Sequence, residues 1–183
     1  MTPTLDLRSR SLEVALRPAC AADAEALTAL GSAAFNAAFG HLYDPRDLEA
    51  FLAQTYSPQV IAAEIANPAL IHRLALDGEA LVGFAKLCDP SPYAGHSDAR
   101  RPIALGQLYT DPARTGCGVG ALLMDWALED ARRRGADALQ LSVWSGNEGA
   151  QRFYARRGLT KIADIDFWVG HHRDDEFLLE LRL

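Results

Sequence analysis

Between Thr115 and Gly120 the chain reads Thr-Gly-Cys-Gly-Val-Gly, with glycine at every second position (Gly116, Gly118, Gly120). Such a run leaves successive backbone N–H groups unshielded by side chains. An apolar, strand-like stretch precedes it and an amphipathic helical pattern follows, so the positive end of a helix dipole adds to those donors. The chemistry this suits is the binding of a phosphate or pyrophosphate through the main chain. Two familiar phosphate loops match poorly. A Walker A loop ends in Gly-Lys-Ser/Thr, whereas this chain continues Val119-Gly120-Ala121-Leu122. A dinucleotide fingerprint needs Gly-x-Gly-x-x-Gly and a carboxylate roughly 20 residues further on. Here the next strand ends Leu141-Ser142-Val143-Trp144, with no carboxylate. Taken alone, the turn is equally a tight strand-to-helix connection.

A second constellation follows. After the strand pattern Ala138–Trp144 comes Asn147-Glu-Gly-Ala-Gln-Arg-Phe-Tyr154-Ala-Arg-Arg-Gly158. Asn147 suits a helix N-cap, and Gly158 suits the helix end. Tyr154 lies almost two turns past Asn147, so the two share one helix face to within about 20°. Gly-rich turn, helix, strand, then Asn-x-x-Ala-x-x-x-Tyr-x-x-x-Gly together resemble the GNAT superfamily of N-acetyltransferases. The likeness covers residues 80 to 183 well and the first half only in element order. Val143-Trp144-Ser-Gly-Asn147, Phe153-Tyr154, Phe167-Trp168-Val169-Gly170 and the early Phe35, Phe39 and Tyr43 are similar to the spermidine/spermine-type branch.

The resemblance implies an acetyl-CoA-dependent enzyme that moves an acetyl group directly to an amine. In that family the Gly-rich turn binds the pyrophosphate of acetyl-CoA, which falls here on Thr115, Gly116, Cys117, Gly118, Val119, Gly120 and Ala121. The backbone of Leu108, Tyr109 and Thr110 is expected to hold the pantetheine and polarise the acetyl carbonyl, and Asn147 to fix the pantetheine. Thr115 replaces the usual Gln or Arg, a small loss where the main chain does the binding. Tyr154 matches the family's general acid. A free tyrosine is a weaker acid than a thiol, so complete proton transfer runs uphill by about 2 kcal/mol. A hydrogen bond to the departing thiolate is the better description. Cys117 is expected to turn away from the ligand.

Transfer also needs a neutral amine. An amine of pKa about 10.4 is neutral in only a few per ten thousand molecules at pH 7, a penalty of roughly 4–5 kcal/mol. Many relatives carry a Glu on the strand before the turn. This chain has Ala104 and Gly106 there. The base is therefore elsewhere, with Tyr109, Asp44, Asp47 and His41 as candidates, or water carries the proton. Tyr43, Asp44, Asp47 and Glu49 could meet a cationic acceptor such as a polyamine. Asp164, Asp166, Asp174, Asp175 and Glu176 could form an opposite rim. Two other functions stay open: acetylation of protein N-termini or lysines, and non-catalytic acyl-CoA binding.

The elements that must carry these residues follow from periodicity. Leu12–Arg17 alternates as a strand, and Ala22–Phe39 is helical. Asp44-Pro45 and Ser57-Pro58 open helices through Thr55 and Ala66. Ile71–Leu76 and Ala80–Leu87 flank Asp77-Gly-Glu, a hairpin signal. Ile103–Thr110 is the strand before the turn. The helix from Gly118 to Arg134 is expected to bury Val119, Leu122, Leu123, Trp126 and Ala131, with Arg132–Arg134 as a solvated end and Gly135 as its cap. Thr160–Val169 and Glu176–Leu183 close the chain as strands, with His171-His172 a solvated turn and His72 an ordinary strand residue. The expected class is α/β: one GNAT-type domain over residues 11–183, a mixed, mostly antiparallel sheet, helices on both faces, and a loose tail over residues 1–10. A net charge of −6 argues against nucleic acid as partner. No apolar run is long enough for a membrane span, the first ten residues show no secretion signal, and the three cysteines match no metal or disulfide spacing. A cytoplasmic protein without a metal is the natural reading, and a homodimer is neither required nor excluded.

Overall fold

A computed structural model describes residues 13–183. Leu12, the expected tail and the start of the expected domain at residue 11 lie outside these residues. Seven strands form one sheet in the order β1-β2-β3-β4-β5-β7-β6. They are β1 (Val14–Pro18), β2 (Leu70–Asp77), β3 (Ala80–Cys88), β4 (Pro102–Thr110), β5 (Ala138–Trp144), β6 (Thr160–Val169) and β7 (His172–Arg182). All neighbours are antiparallel except β4 and β5. The helices are α1 (Ala24–Phe39), α2 (Pro45–Thr55), α3 (Pro58–Ala66), α4 (Val119–Arg133) and α5 (Glu148–Ala155).

Local chemistry starts α2, α3 and α5. Asp44 and Ser57 cap α2 and α3 by accepting the N–H of Arg46 and Val60, and each is followed by proline at the first helical position. Asn147 caps α5 through the N–H of Ala150, 3.0 Å away. Gly135 and Gly158 take the left-handed conformation after α4 and α5.

The sheet separates two apolar cores. One packs α4 and α5 around Leu123, Met124, Leu139 and Leu141. The other packs α1–α3 around Leu27, Phe35, Ile61, Phe84 and Val169. Fully burying such a side chain contributes about 1.5–3 kcal/mol, so both layers hold the sheet firmly. The buried face of α4 differs from expectation at Leu122 and at Trp126, which is only half-buried. Leu122 is 38% exposed, whereas Met124 and Ala127 are buried. The helix rotates its stripe toward the sheet and leaves Leu122 at the margin.

The last strand also differs. β7 begins at His172, not at Glu176, because Arg173 and Asp174 pair with Trp168 and Phe167 in a long hairpin with β6. Ion pairs of Arg173 with Asp166 (3.1 Å) and Asp175 (3.0 Å) line its outer face. The extra residues place His172, Asp174 and Glu176 in one alternating row.

Candidate active site

The parallel pair β4–β5 is short. Pro102, Ile103 and Ala104 face Ala138, Leu139 and Gln140, and no pairing continues beyond them. At that point the β3–β4 register skips Gly106, which sits as an extra residue between Lys86 and Leu87 of the partner strand. A bulge of this kind bends the strand and strengthens its twist. A Cβ at Gly106 would meet the Cys88 sulfur at 3.0 Å, so glycine is what lets the backbone pass. β4 then leaves β5, and a cavity of about 480 Å³ opens between them.

The Gly-rich turn follows at one end, where Pro112 and Thr115 line the cavity and Gly116 to Ala121 lie outside its lining. β4 stops at Thr110, and Asp111 shapes a short turn by accepting the N–H of Ala113 at 2.9 Å. Gly116 and Gly118 have φ of 79° and 84°, a region that strains any other residue, and space beyond both is open. α4 then begins with no side-chain cap. Its first N–H groups, on Val119, Gly120 and Ala121, have no intrahelical acceptor. The donor set thus fits a pyrophosphate at a helix start. Cys117 is exposed, and its thiol turns back to the Thr115 carbonyl.

Leu108, Tyr109, Thr110, Thr115, Asn147 and Tyr154 all line the cavity. Asn147 uses its side-chain oxygen for the helix cap, so its amide nitrogen is not engaged there. Tyr154 lies in the last turn of α5, which closes through N–H bonds from Arg157 and Leu159 to the Tyr154 carbonyl. Burial raises its phenol above the ordinary value, the neighbouring Tyr109 adds to this, and Arg157 opposes it. The hydroxyl therefore stays protonated and ready to donate.

The other end joins β7 to the N-terminal helices. Tyr43 is buried and donates its hydroxyl to Asp174 Oδ2, while His172 Nε2 lies 3.1 Å from Oδ1. Burial, then Asp174, pushes the Tyr43 phenol far up. Asp44 and Asp47 do not line the cavity. Asp44 is spent on the α2 cap. Asp47 accepts the His171 N–H at 3.1 Å and ties α2 to the β6–β7 turn. His41 lies edge-on to Trp144, with ring centroids 6.3 Å apart, outside the cavity lining. Tyr109 does line it, but burial and the adjacent Tyr56 raise its phenol well above normal, which disqualifies it as a base.

Of the acids expected on the opposite rim, Asp164, Asp166 and Asp175 pair with Lys161 or Arg173 on the outer face. Asp174 and Glu176 enter the cavity. Burial raises the Glu176 carboxyl, the Ser142 hydroxyl opposes this, and Asp174 adds to the rise. Neither residue stands out by type. The sequence marks them only as members of an acidic cluster, and the strand alternation that sets them apart from Asp175 was hidden by an expected strand start at Glu176. His72, expected as an ordinary strand residue, is buried with Nε2 at 3.3 Å from Glu64, too oblique for a hydrogen bond. Glu64 instead takes two bonds from Lys86 at 2.9 and 3.0 Å.

Comparison with known proteins places this geometry. An uncharacterised N-acetyltransferase of Lactobacillus delbrueckii subsp. lactis is 31% identical over 156 residues, which span 85% of this chain and 89% of that one. An aminoalkylphosphonate N-acetyltransferase of Salmonella typhimurium is 33% identical over 97 residues, 53% of this chain and 61% of that one. The PaiA N-acetyltransferase of Thermoplasma acidophilum, solved in complex with coenzyme A, shares the fold with a TM-score of 0.77 at 20% identity, covering 93% of this chain and 99% of that one. Residues 32–159 match the Acetyltransferase (GNAT) family, so the chain belongs to that family and is an acetyltransferase.

Proposed function

We propose that this enzyme transfers the acetyl group of acetyl-CoA to the amine of a small, positively charged molecule, a polyamine being the best fit. The observation that carries this reading is the lining of the cavity. Asp174 and Glu176 stand there with the rings of Phe35, Phe39, Tyr43, Trp144 and Phe167, and among the described residues no lysine or arginine lines it. Carboxylates and aromatic faces attract an ammonium, and the absence of fixed cations leaves that attraction unopposed. The aminoalkylphosphonate relative supports a small-molecule acceptor. A phosphonate itself would find no cation in this cavity.

Each residue has a task under this reading. Thr115 and the N–H groups from Gly116 to Ala121 hold the pyrophosphate. The backbone of Leu108–Thr110 holds the pantetheine and polarises the carbonyl, and Asn147 steadies the same arm. Acetyl-CoA supplies a thioester activated for attack. Tyr154 donates a hydrogen bond to the sulfur as it gains charge. Residues 11–183 act as one domain, and the free cysteines suit the reducing cytoplasm.

The test is thiol release from acetyl-CoA with spermidine, 1,4-diaminobutane, n-butylamine, an aminoalkylphosphonate and a short peptide with a free N-terminus. The expected order places spermidine and diaminobutane above butylamine. Preferred acetylation of the peptide would replace the small-amine reading. Acetyl-CoA binding without turnover of any amine would make the chain an acyl-CoA-binding module.

A further inference from the structure

We propose that Glu176, on β7, is the general base that neutralises the acceptor amine, in place of the carboxylate that β4 lacks. This rests on the amine-acceptor reading of the same cavity. On β4, Ala104 is fully buried in the sheet and Gly106 is the bulge that opens the cleft. A carboxylate at Ala104 would be buried in the core, and one at Gly106 would bring its Cβ to 3.0 Å from the Cys88 sulfur.

Two carboxylates line the cavity, and their surroundings divide the labour. Asp174 has both oxygens engaged, one by the Tyr43 hydroxyl and one by His172. Its lone pairs hold the segment before α2 against β7. Glu176 has no such engagement: the Ser142 hydroxyl, which lies 3.4 Å from the Tyr93 hydroxyl, acts on its carboxyl without tying up both oxygens. A free carboxylate oxygen therefore remains for a proton. The strand register sets Glu176 against Trp144, the last residue of β5, where the gap from β4 is open. Tyr154 lines the same cavity from α5. Base and acid thus stand on different elements of one cleft.

The groups facing Glu176 make it more basic. Asp174 stands on its own strand, Tyr43 before α2, Tyr93 in the β3–β4 loop and Tyr109 on β4. Ile165, its partner on β6, carries no charge. All three phenols are raised, chiefly by burial, so they stay neutral and supply no counter-charge. Burial and the Asp174 charge move Glu176 toward neutrality, where a general base works best.

The proton account closes. The Glu176 carboxylate takes one proton from the ammonium, leaving a neutral amine and a carboxylic acid. The nitrogen lone pair forms the C–N bond with the acetyl carbon, the C–S bond breaks, and the sulfur keeps the bonding pair. The Tyr154 hydroxyl donates a hydrogen bond to the departing thiolate, and the second proton shed by nitrogen reaches the sulfur through solvent. Glu176 returns its proton to water, so each turnover releases one proton.

Glu176→Gln is the experiment, read with spermidine and acetyl-CoA. kcat/KM at neutral pH should fall by about 100-fold or more, with acetyl-CoA affinity by calorimetry unchanged. The wild-type rate should rise with pH and level off above the carboxylate's titration. The glutamine variant should lack that plateau and climb toward the amine's own pKa. Glu176→Asp, which keeps a carboxylate, should recover part of the rate and the plateau. A Glu176→Gln enzyme with the wild-type rate and profile overturns the assignment alone. Joint loss of rate and acetyl-CoA affinity makes Glu176 structural and also overturns it. A wild-type enzyme that acetylates no amine overturns the acceptor reading first, and this assignment with it.

Discussion

Tyr154 and Glu176 show how burial tunes two ordinary groups in opposite service. Desolvation keeps the Tyr154 proton in place, and under the proposed reading that hydroxyl meets the charge of the departing thiolate. Tyr154→Phe should therefore lower kcat by roughly 100-fold and shift the KM for acetyl-CoA by no more than about twofold, since the hydroxyl acts on the transition state. Steady-state kinetics decide this. An equal loss in binding with kcat intact would leave Tyr154 a packing residue. Glu176 carries a stability cost that comes from the same burial. Its folded carboxyl is raised above 4.5, the ordinary value. A raised acid stabilises the fold fully below its unfolded pKa, and that contribution is lost as pH rises through the folded one. Glu176→Gln removes the ionised form. Its melting temperature should exceed the wild type's at about pH 8 and converge with it below about pH 4. A variant less stable at both pH values would show that Glu176 holds the fold instead.

At the scale of elements, the Gly-rich turn separates two roles that glycine can play. Gly118 has φ of 84°, and a side chain there is strained whatever the space around it. Gly120 has ordinary helical backbone, and a Cβ there would only touch Thr110 at 3.7 Å. Gly118→Ala should cost about 1–2 kcal/mol of stability. Gly120→Glu should leave the fold intact and abolish acetyl-CoA binding through bulk and charge. Melting curves and calorimetry on the two variants would separate the effects; unchanged affinity in a folded Gly120→Glu protein would remove the turn from the binding site. Most of this element was legible in advance, because caps, prolines and glycines act within a few residues. Asp44, Ser57 and Asn147 start their helices as their side chains dictate. The start of β7 was not legible. Arg173 and Asp174 read as turn residues until the β6 partner and the Tyr43 hydroxyl make a strand of them.

Over the whole molecule, the cavity is a joint product of both halves of the chain. Tyr43 reaches Asp174 across 131 residues, and Asp47 holds the His171 N–H across 124. These ties fold the α1–α2 connection onto the β6–β7 hairpin and complete the wall of aromatic rings. Under the proposed reading, a net charge of −6 and the two cavity carboxylates would act together on a cationic acceptor. The kcat/KM advantage of spermidine over n-butylamine should be largest at low ionic strength. It should shrink as salt screens the attraction, over a Debye length of about 10 Å at 0.1 M. An advantage that is absent at low salt would mean that the cavity acids do not select charge.

The family and nearly every element boundary followed from the amino-acid sequence, and the turn, Asn147 and Tyr154 were singled out there as candidates, because each rests on local chemistry. A bare N–H run, a cap or a two-turn spacing is complete within a dozen residues. The acceptor end was decided by tertiary structure. Asp44 and Asp47 have the right charge for a substrate site, yet a helix cap and a loop tie consume them. Asp174 and Glu176 look like two more acids in an acidic hairpin. Strand register, the Gly106 bulge and burial beneath Tyr43 turn them into the lining of a cleft. A carboxylate's role depends on its dielectric surroundings and its neighbours' charge, and those are set by residues far away in the chain.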